Sequence, residues 1–243
     1  MGWKSAALAL ATLVALPTLV SVAQTGGRGD HWSTARRDSA GLAPDPSVTK
    51  EAVVQIYGAR TWGWRGALAV HTWIAIKPEG AAAYERHEVI GWRLRRGMPA
   101  LVSHNGIPDA YWFGSAPELY RDIRGDEAKA AIARIAAAIA AYPWKDEYVT
   151  WPGPNSNTFV AWVAREAALD VDLPPTAIGK DFTGAALVTS PPGGAGLQVS
   201  LFGLLGLIVG LEEGIEVNLL GLSFGLDLNA PALRLPALGR IGF

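Results

Sequence analysis

The sequence predicts an α+β fold with an antiparallel β meander first, two packed helices next and a β-rich segment last. The first half alternates apolar and polar residues at a period of two, which is typical of strands. Two later segments place apolar residues at helical spacing. A Leu/Gly-rich stretch at the end has the glycine density and segment length of short strands. Strands and helices that occupy separate parts of a chain indicate an α+β fold.

Composition excludes several classes of protein. The chain has 243 residues and a formal net charge of -1, with 21 basic and 22 acidic residues, so it lacks the basic surface that nucleic-acid binding requires. It has no cysteine, which excludes disulfides, cysteine-ligated zinc and a thiolate nucleophile. The ten tryptophans suit membrane interfaces or carbohydrate stacking as well as a core.

The N-terminal segment has the pattern of a secretory signal. One lysine precedes an uncharged run from Ser5 to Ala23, and Ser21-Val22-Ala23 resembles a cleavage site. The run is close to the roughly 20 residues that span a bilayer, so residues 1–23 are a signal peptide or an N-terminal membrane anchor. We therefore expect an exported protein that is periplasmic or anchored facing the periplasm. Residues 24–47 read as a linker or extended arm, 48–190 as the core and 191–243 as a β-rich extension.

Four strands are predicted in the first half of the core, at Glu51–Ala59, Gly66–Lys77, Arg86–Arg95 and Met98–His104. In the second strand, alternation places Thr72 on one face and both His71 and Trp73 on the other. Alanines keep the face of His71 shallow, which leaves room for a neighbouring element.

Two helices follow the meander. After a short helical turn at Pro117–Arg124, residues Asp126–Tyr142 carry an isoleucine stripe with acidic residues in the first turn, and a second helix runs from about Asn157 to Ala168. Beyond it, Lys180 and Asp181 would face either the site or solvent, and we expect solvent because exposed charge pairs are the usual case.

The C-terminal extension contains two similar segments, Leu204–Glu212 and Leu219–Asp227. Their glycines disfavour a helix, and a Glu-Glu-Gly break favours strands that fold back on each other. We expect a β hairpin, whose exposed apolar face would contact lipid or a partner.

The stretch from Trp151 to Phe159, WPGPNSNTF, is the centre of the predicted site. Pro152 and Pro154 stiffen the approach to the second helix, so Asn155, Ser156 and Asn157 fall at its N-cap or in its first turn. The unpaired N–H groups there favour negative charge, which suits a nucleophile or an anionic ligand. The alternative is that these residues only cap the helix.

The parts of a nucleophile–base–orienter arrangement occur along the chain. Ser156 would be the nucleophile and His71 its base, with Glu88 or His87 holding the base; alternation allows only one of the last two to face inward, and a carboxylate favours Glu88. Asn155 or Asn157, with the helix-terminal N–H groups, would stabilise an oxyanion.

Two other interpretations use the same residues. His71, His87 and His104 would converge with Glu88 on a metal, although their spacing matches no ligand motif, and we expect neither metal nor cofactor. His71 would otherwise be a hydrogen-bonded core histidine.

Three motifs resemble the bacterial domain-of-unknown-function family 3750. They are WPGPNSNTF within Tyr148–Phe159, LPPTAIGKD at Leu173–Asp181 and EGIEVNLLGL at Glu213–Leu222. This resemblance implies an envelope setting without an established activity.

A more distant resemblance covers about Val53 to Ala167. The strand motif His71-Thr-Trp73 and the helix start Asn155-Ser-Asn-Thr-Phe159 are similar to the circularly permuted NlpC-type papain-like hydrolases. That resemblance implies a papain-like core with His71 as base, Glu88 or His87 as orienter and Ser156 in place of the family's cysteine. It implies either a serine variant of the enzyme or a pocket that only binds.

The expected function is therefore hydrolysis or transfer of an acyl or amide group on an envelope lipid, glycan or peptide, at the membrane. Ser156, His71 and Glu88 would be catalytic, with Asn155, Asn157, Trp73 and His87 binding the oxyanion or substrate. The alternative is an inactive envelope protein that binds lipid, glycan or a partner protein in the same pocket, and a purely structural membrane-associated protein is a third.

Overall fold

The computed structural model describes residues 31–242, residues 15–23 and the single positions Gly2, Ser5 and Thr12. Helices pack on a five-stranded antiparallel sheet, and a second antiparallel sheet of seven strands follows. The predicted α+β class is confirmed.

The first sheet is a meander joined at one edge by a later strand. Its strands, in spatial order β4-β3-β2-β1-β5, are β1 (Val53–Arg60), β2 (Val70–Lys77), β3 (Glu85–Val89), β4 (Leu101–Asn105) and β5 (Glu118–Arg124). Every neighbouring pair is antiparallel, and β1 pairs with both β2 and β5.

Two elements of this sheet differ from prediction. The third strand ends at Val89, and Gly91–Arg96 forms a 3-10 helix instead of continuing it. Residues Glu118–Arg124, expected as a helical turn, form strand β5 because the free edge of β1 supplies backbone partners for them. A short segment takes its conformation from such a neighbour more than from its own propensity.

The two predicted helices are α1 (Gly125–Ala141) and α2 (Ser156–Ala167). They pack against each other and against one face of the sheet. The apolar core between these layers includes Ile56, Ile74, Ile135, Phe159 and Val163, all fully buried.

The opposite face of the sheet has its own buried cluster. Tyr57, Trp73, Ala75 and Tyr84 belong to it, whereas Val70 and Ile74 belong to the helix side. The period-two assignment of β2 is therefore correct, and His71 lies on the side of Trp73, away from the helices.

The second sheet contains the C-terminal strands in sequence order. They are β6 (Val188–Thr189), β7 (Gly196–Leu201), β8 (Leu205–Gly210), β9 (Gly214–Leu219), β10 (Leu222–Asp227), β11 (Ala232–Leu235) and β12 (Gly239–Gly242). The structure extends the predicted hairpin to a seven-stranded meander. Its two similar segments form β8 and β10, which lie on either side of β9 rather than against each other.

Lys180 and Asp181 do not face solvent, contrary to the prediction. Both are at most 3 % exposed, because the inner face of the second sheet covers them. Lys180 pairs with Glu216, and Asp181 accepts hydrogen bonds from Asn218 and Ser223. The charges of Lys180 and Asp181 do not by themselves predict burial, because the partners that satisfy them lie more than 30 residues away in the sequence.

The described part of the predicted linker lies against the core. Asp109 accepts hydrogen bonds from the backbone of Leu42 and Ala43 and from Ser39 Oγ. Much of the predicted signal or anchor, residues 1–23, lies outside the described residues; residues 15–23 are helical, and Ser21 donates to the carbonyl of Ala67. No helix in the described part of the chain is long and apolar enough to cross a membrane.

Candidate functional site

The N-terminus of α2 is held by a complete capping box. Asn155 Oδ1 accepts from the backbone N–H groups of Asn157 and Thr158, while Thr158 Oγ1 accepts from the N–H of Asn155. This geometry satisfies backbone groups that a helix start otherwise leaves unpaired. Ser156 is therefore fixed as the first residue of the helix.

Two glycines allow the chain to pass close to this helix start. Gly153 has φ +139° between two cis prolyl bonds, and a Cβ there would lie 2.8 Å from Thr158 Oγ1. Gly179 has φ +98°, and a Cβ there would overlap the side chain of Asn155. At both positions, the positive φ and the lack of room for a Cβ atom require glycine.

Hydrogen bonds attach the start of α2 to strand β2. Thr72 Oγ1 donates to Asn157 Oδ1 at 3.0 Å, and Asn157 Nδ2 donates to the carbonyl of Val70 at 3.1 Å. Thr72 Oγ1 is also 3.2 Å from the carbonyl oxygen of Ser156. Since Thr72 is the sequence neighbour of His71, these bonds fix the helix start relative to the histidine.

His71 is held by Glu88 from the adjacent strand. Nε2 of His71 lies 2.8 Å from Oε2 of Glu88, and both side chains are buried. An ionised carboxylate only accepts, so Nε2 carries the proton and Nδ1 is left with a lone pair. This is the tautomer in which Nδ1 can take a proton.

Glu88 also binds Arg86 and His104. Arg86 Nη2 is 2.9 Å from Oε2 and Arg86 Nε is 2.9 Å from Oε1, while His104 Nε2 is 3.1 Å from Oε1. Burial opposes ionisation of Glu88, but the bonds from His104 and His71 and the charge of Arg86 lower its pKa overall. The carboxylate therefore stays ionised beside His71.

Trp112 covers one side of the His71 ring. The two rings stack with centroids 3.8 Å apart and planes 13° apart. Burial lowers the pKa of His71, although Glu88 acts in the opposite direction. A buried imidazole that stays neutral at moderately acidic pH remains available as a proton acceptor.

A pocket of about 430 Å³ brings the histidine and the helix start together. Its polar lining includes His71, Asn155, Ser156 and Asn157; its apolar and aromatic lining includes Trp64, Leu68, Trp92, Trp112, Tyr148, Trp151, Leu220 and Leu222. Among the described residues, neither Nδ1 of His71 nor Oγ of Ser156 has a hydrogen-bond partner. The two groups thus share a pocket without bonding to each other.

The other predicted site residues have different surroundings. His87 bonds Ser103 Oγ at 2.7 Å and lies outside this pocket, so Glu88 rather than His87 contacts His71. Trp73 is fully buried and donates to the carbonyl of Pro108. It supports the face of His71 and does not line the pocket.

The side-chain amides of Asn155 and Asn157 are engaged by the protein. Asn155 Nδ2 donates to the carbonyls of Thr150 and Ile178, and Asn157 Nδ2 donates to those of Val70 and Ile178. The backbone N–H of Ser156, in contrast, has no hydrogen bond to the described residues. The side-chain amides that were predicted to bind an oxyanion are therefore occupied, whereas the N–H at the helix start is available. Within the described residues no His, Asp or Glu cluster has metal-binding geometry.

Sequence reasoning missed Arg86, His104 and Trp112. Arg86 is two residues from Glu88 and so shares its strand face, which is a detectable signal. His104 lies opposite Arg86 in the next strand, which required the register. Trp112 lies in a loop, and no periodic pattern could assign it to His71.

The fold and site define an α+β protein with a pocket formed by a helix-terminal serine and a histidine held by a carboxylate. The chain belongs to the family described as "Protein of unknown function (DUF3750)", whose model matches residues 51–182. The match includes the first sheet and both helices and ends before the second sheet. Searches of the curated proteins and of the solved structures found no match.

Proposed function

We propose that this protein is a hydrolase or transferase of acyl or amide groups that uses Ser156 as nucleophile, His71 as base and Glu88 as the residue that positions the base. The observation that carries the proposal is the state of His71. Its Nε2 is bound by Glu88, its Nδ1 has no hydrogen-bond partner among the described residues, and His71 and Ser156 line the same pocket.

Catalysis begins when Nδ1 of His71 accepts the proton of Ser156 and Oγ attacks the carbonyl carbon of the substrate. The tetrahedral intermediate collapses to an acyl-serine as the protonated His71 returns the proton to the leaving alcohol or amine. Water, or an acceptor alcohol or amine, then attacks the acyl-serine in the reverse sequence. Glu88 stabilises the imidazolium that forms in each half-reaction.

The start of α2 supplies the electrostatic support for this step. The backbone N–H of Ser156 has no partner in the part of the chain that the structure describes, and the positive end of the helix dipole lies at the same point. Both favour the oxyanion of the tetrahedral intermediate. The capping box and the hydrogen bonds to β2 hold the backbone at the start of α2 in a fixed position.

The substrate is an envelope lipid or peptidoglycan component, acted on by an exported protein. The leader-like pattern of Met1–Ala23 supports export. The order histidine, carboxylate, helix-terminal nucleophile supports a distant relationship with the permuted papain-like hydrolases. In this proposal Ser156 occupies the position of the cysteine.

A second function, binding without catalysis, is favoured by one observation. Ser156 and His71 make no hydrogen bond to each other among the described contacts, so the serine is not activated in this geometry. In that case the same pocket holds a lipid, glycan or partner segment. Catalytic hydrogen bonds often tighten only when substrate is bound, so the two functions need a chemical test.

The test is covalent labelling of the full chain with a fluorophosphonate, together with turnover of a panel of acyl esters and peptidoglycan peptides. Labelling and turnover lost in both Ser156→Ala and His71→Ala would support the proposal. Ser103→Ala is the matched control, because Ser103 also bonds a histidine, His87, but lies outside the pocket. A folded wild-type protein that neither labels nor turns over would overturn the enzyme and favour binding.

A further inference from the structure

The second sheet has an inverted distribution of side chains. Its inner face, toward the core, has buried polar groups such as Gln198, Ser200, Glu216, Asn218 and Arg234. These groups bond Lys180, Asp181 and Asp172, so the sheet attaches to the core through charge and hydrogen bonds. Most of its aliphatic residues are consequently on the outside, whereas Ile208 is buried on the inner face.

Strand register aligns the outward residues in rows. One row crosses six strands through Leu197, Val209, Ile215, Leu226, Leu233 and Ile241, each the Cα partner of the next. These side chains are 37–51 % exposed. With strands about 4.8 Å apart, the row spans roughly 24 Å.

Two further rows lie parallel to the first. One joins Val199, Leu207, Val217 and Phe224, and the other joins Leu201, Leu205, Leu219 and Leu222. No position in the three rows has a charged or hydrogen-bonding side chain. We call this surface the aliphatic face. A continuous apolar surface of this kind is typical of a site that binds a membrane or a partner.

The aliphatic face continues into the pocket of the candidate site. Leu222, at the end of the third row, lines that pocket. Leu220, in the adjoining turn, also lines it and is 64 % exposed, and its carbonyl accepts from Trp151 Nε1. An apolar path therefore leads from the sheet surface to Ser156 and His71.

Exposed tryptophans stand around the same pocket. Trp64, Trp92 and Trp151 line it and are 45–74 % exposed. Indole rings combine an apolar body with a polar N–H and are enriched at the boundary between lipid and water.

From these observations we propose that the aliphatic face docks on a lipid bilayer and that the pocket takes the acyl chain of a membrane lipid. The binding of an acyl chain in the pocket rests on the proposed function and assigns its substrate class. The docking of the aliphatic face on a bilayer rests on the second sheet alone.

Three features favour lipid over a protein partner. Protein interfaces are rich in Tyr, Trp, Arg and hydrogen bonds, whereas the aliphatic face has one aromatic residue, Phe224, and no bonding group. The face is continuous with an apolar pocket that a second copy would not need. The interfacial tryptophans surround that pocket rather than the sheet.

The absence of cysteine allows a direct test with single-cysteine variants of the full chain. Leu207→Cys and Ile215→Cys, labelled with nitrobenzoxadiazole, report the aliphatic face. Val48→Cys, at an exposed site outside the second sheet, is the control. Each is mixed with phosphatidylcholine vesicles, with and without phosphatidylglycerol.

If the aliphatic face docks on the bilayer, the label at both face positions should emit more strongly and at shorter wavelength, and lipid-borne quenchers should quench it. This change should depend little on salt concentration. The label at Val48→Cys should show no change. Vesicle binding without a change at the face positions would show attachment through another segment and would overturn the proposal. A concentration-dependent change without vesicles would show that a second copy covers the face and would also overturn it.

A second variant separates docking from catalysis. Leu207→Asp combined with Val209→Asp is expected to lose vesicle binding and turnover of vesicle-borne lipid, while Ser156 still reacts with the fluorophosphonate. Val48→Asp controls for added charge. If Ser156 proves unreactive in the wild type, the proposed function fails, and the fluorescence result still decides whether the aliphatic face binds lipid.

Discussion

Oε2 of Glu88 lies 2.8 Å from Nε2 of His71, and this contact sets both the tautomer and the orientation of the imidazole. The other carboxylate oxygen binds His104, and Arg86 bridges both oxygens. Glu88 thus accepts from several cationic or proton-donating neighbours, and it positions the buried imidazole of His71. Its role in the site can be tested without knowing the natural substrate.

We expect Glu88→Gln to reduce kcat/KM toward an activated acyl ester by at least about 100-fold. The amide can donate to Nε2, which would move the ring proton to Nδ1 and remove the acceptor for Ser156. His87→Gln is the control, since His87 bonds Ser103 and does not touch His71. Equal rates in Glu88→Gln and wild type would exclude this positioning role.

The two histidines on Glu88 should titrate on opposite sides of the ordinary value of 6.5. Burial lowers the pKa of His71, whereas the bond to Glu88 raises the pKa of half-exposed His104. Proton NMR of the imidazole C–H signals, assigned with His71→Gln and His104→Gln, measures both.

The same directions determine how stability depends on pH. Below 6.5 the unfolded chain protonates His71 more readily than the folded one, so this group destabilises the fold as the pH falls. His104 contributes stability below 6.5 and loses it as the pH rises through its raised pKa. The acid limb of kcat/KM should lie below 6.5, and a limb above it would contradict His71 as the base.

Glu216→Gln should destabilise the protein strongly, by about 3–5 kcal/mol, because it leaves two buried cations short of a partner. Lys180 and Arg234 are at most 1 % exposed and both pair with Glu216. Urea unfolding measures the loss. Glu79→Gln breaks an exposed pair with Lys129 and should cost at most about 1 kcal/mol; similar losses in the two variants would refute the buried network.

Asn155→Ala should lower the free energy of unfolding by about 1–2 kcal/mol through loss of the helix cap. It also leaves the carbonyl of Thr150 without this donor, whereas the carbonyl of Ile178 keeps the hydrogen bond from Asn157. Asn105→Ala, at the exposed end of β4, is the control. Wild-type stability in Asn155→Ala would show that the cap is not needed to hold Ser156.

Local patterns in the sequence predicted the two helices and the first two strands of the core, and the positions of His71 and Ser156 within them. Period-two alternation assigned His71 and Trp73 to one face of β2, and the proline-stiffened approach placed Ser156 at a helix start. These inferences held because neighbours in sequence decide which side of a strand or which end of a helix a residue occupies.

Partners distant in sequence were decided only by the tertiary structure. The edge of β1 turned Glu118–Arg124 into a strand, and the second sheet buried Lys180 and Asp181. Strand register and a loop brought His104 and Trp112 to the site. The second sheet turned its leucines outward because its polar face satisfies the buried charges of the core. The sequence alone determined which residues could act; burial and register, which depend on the whole fold, determined which of them meet.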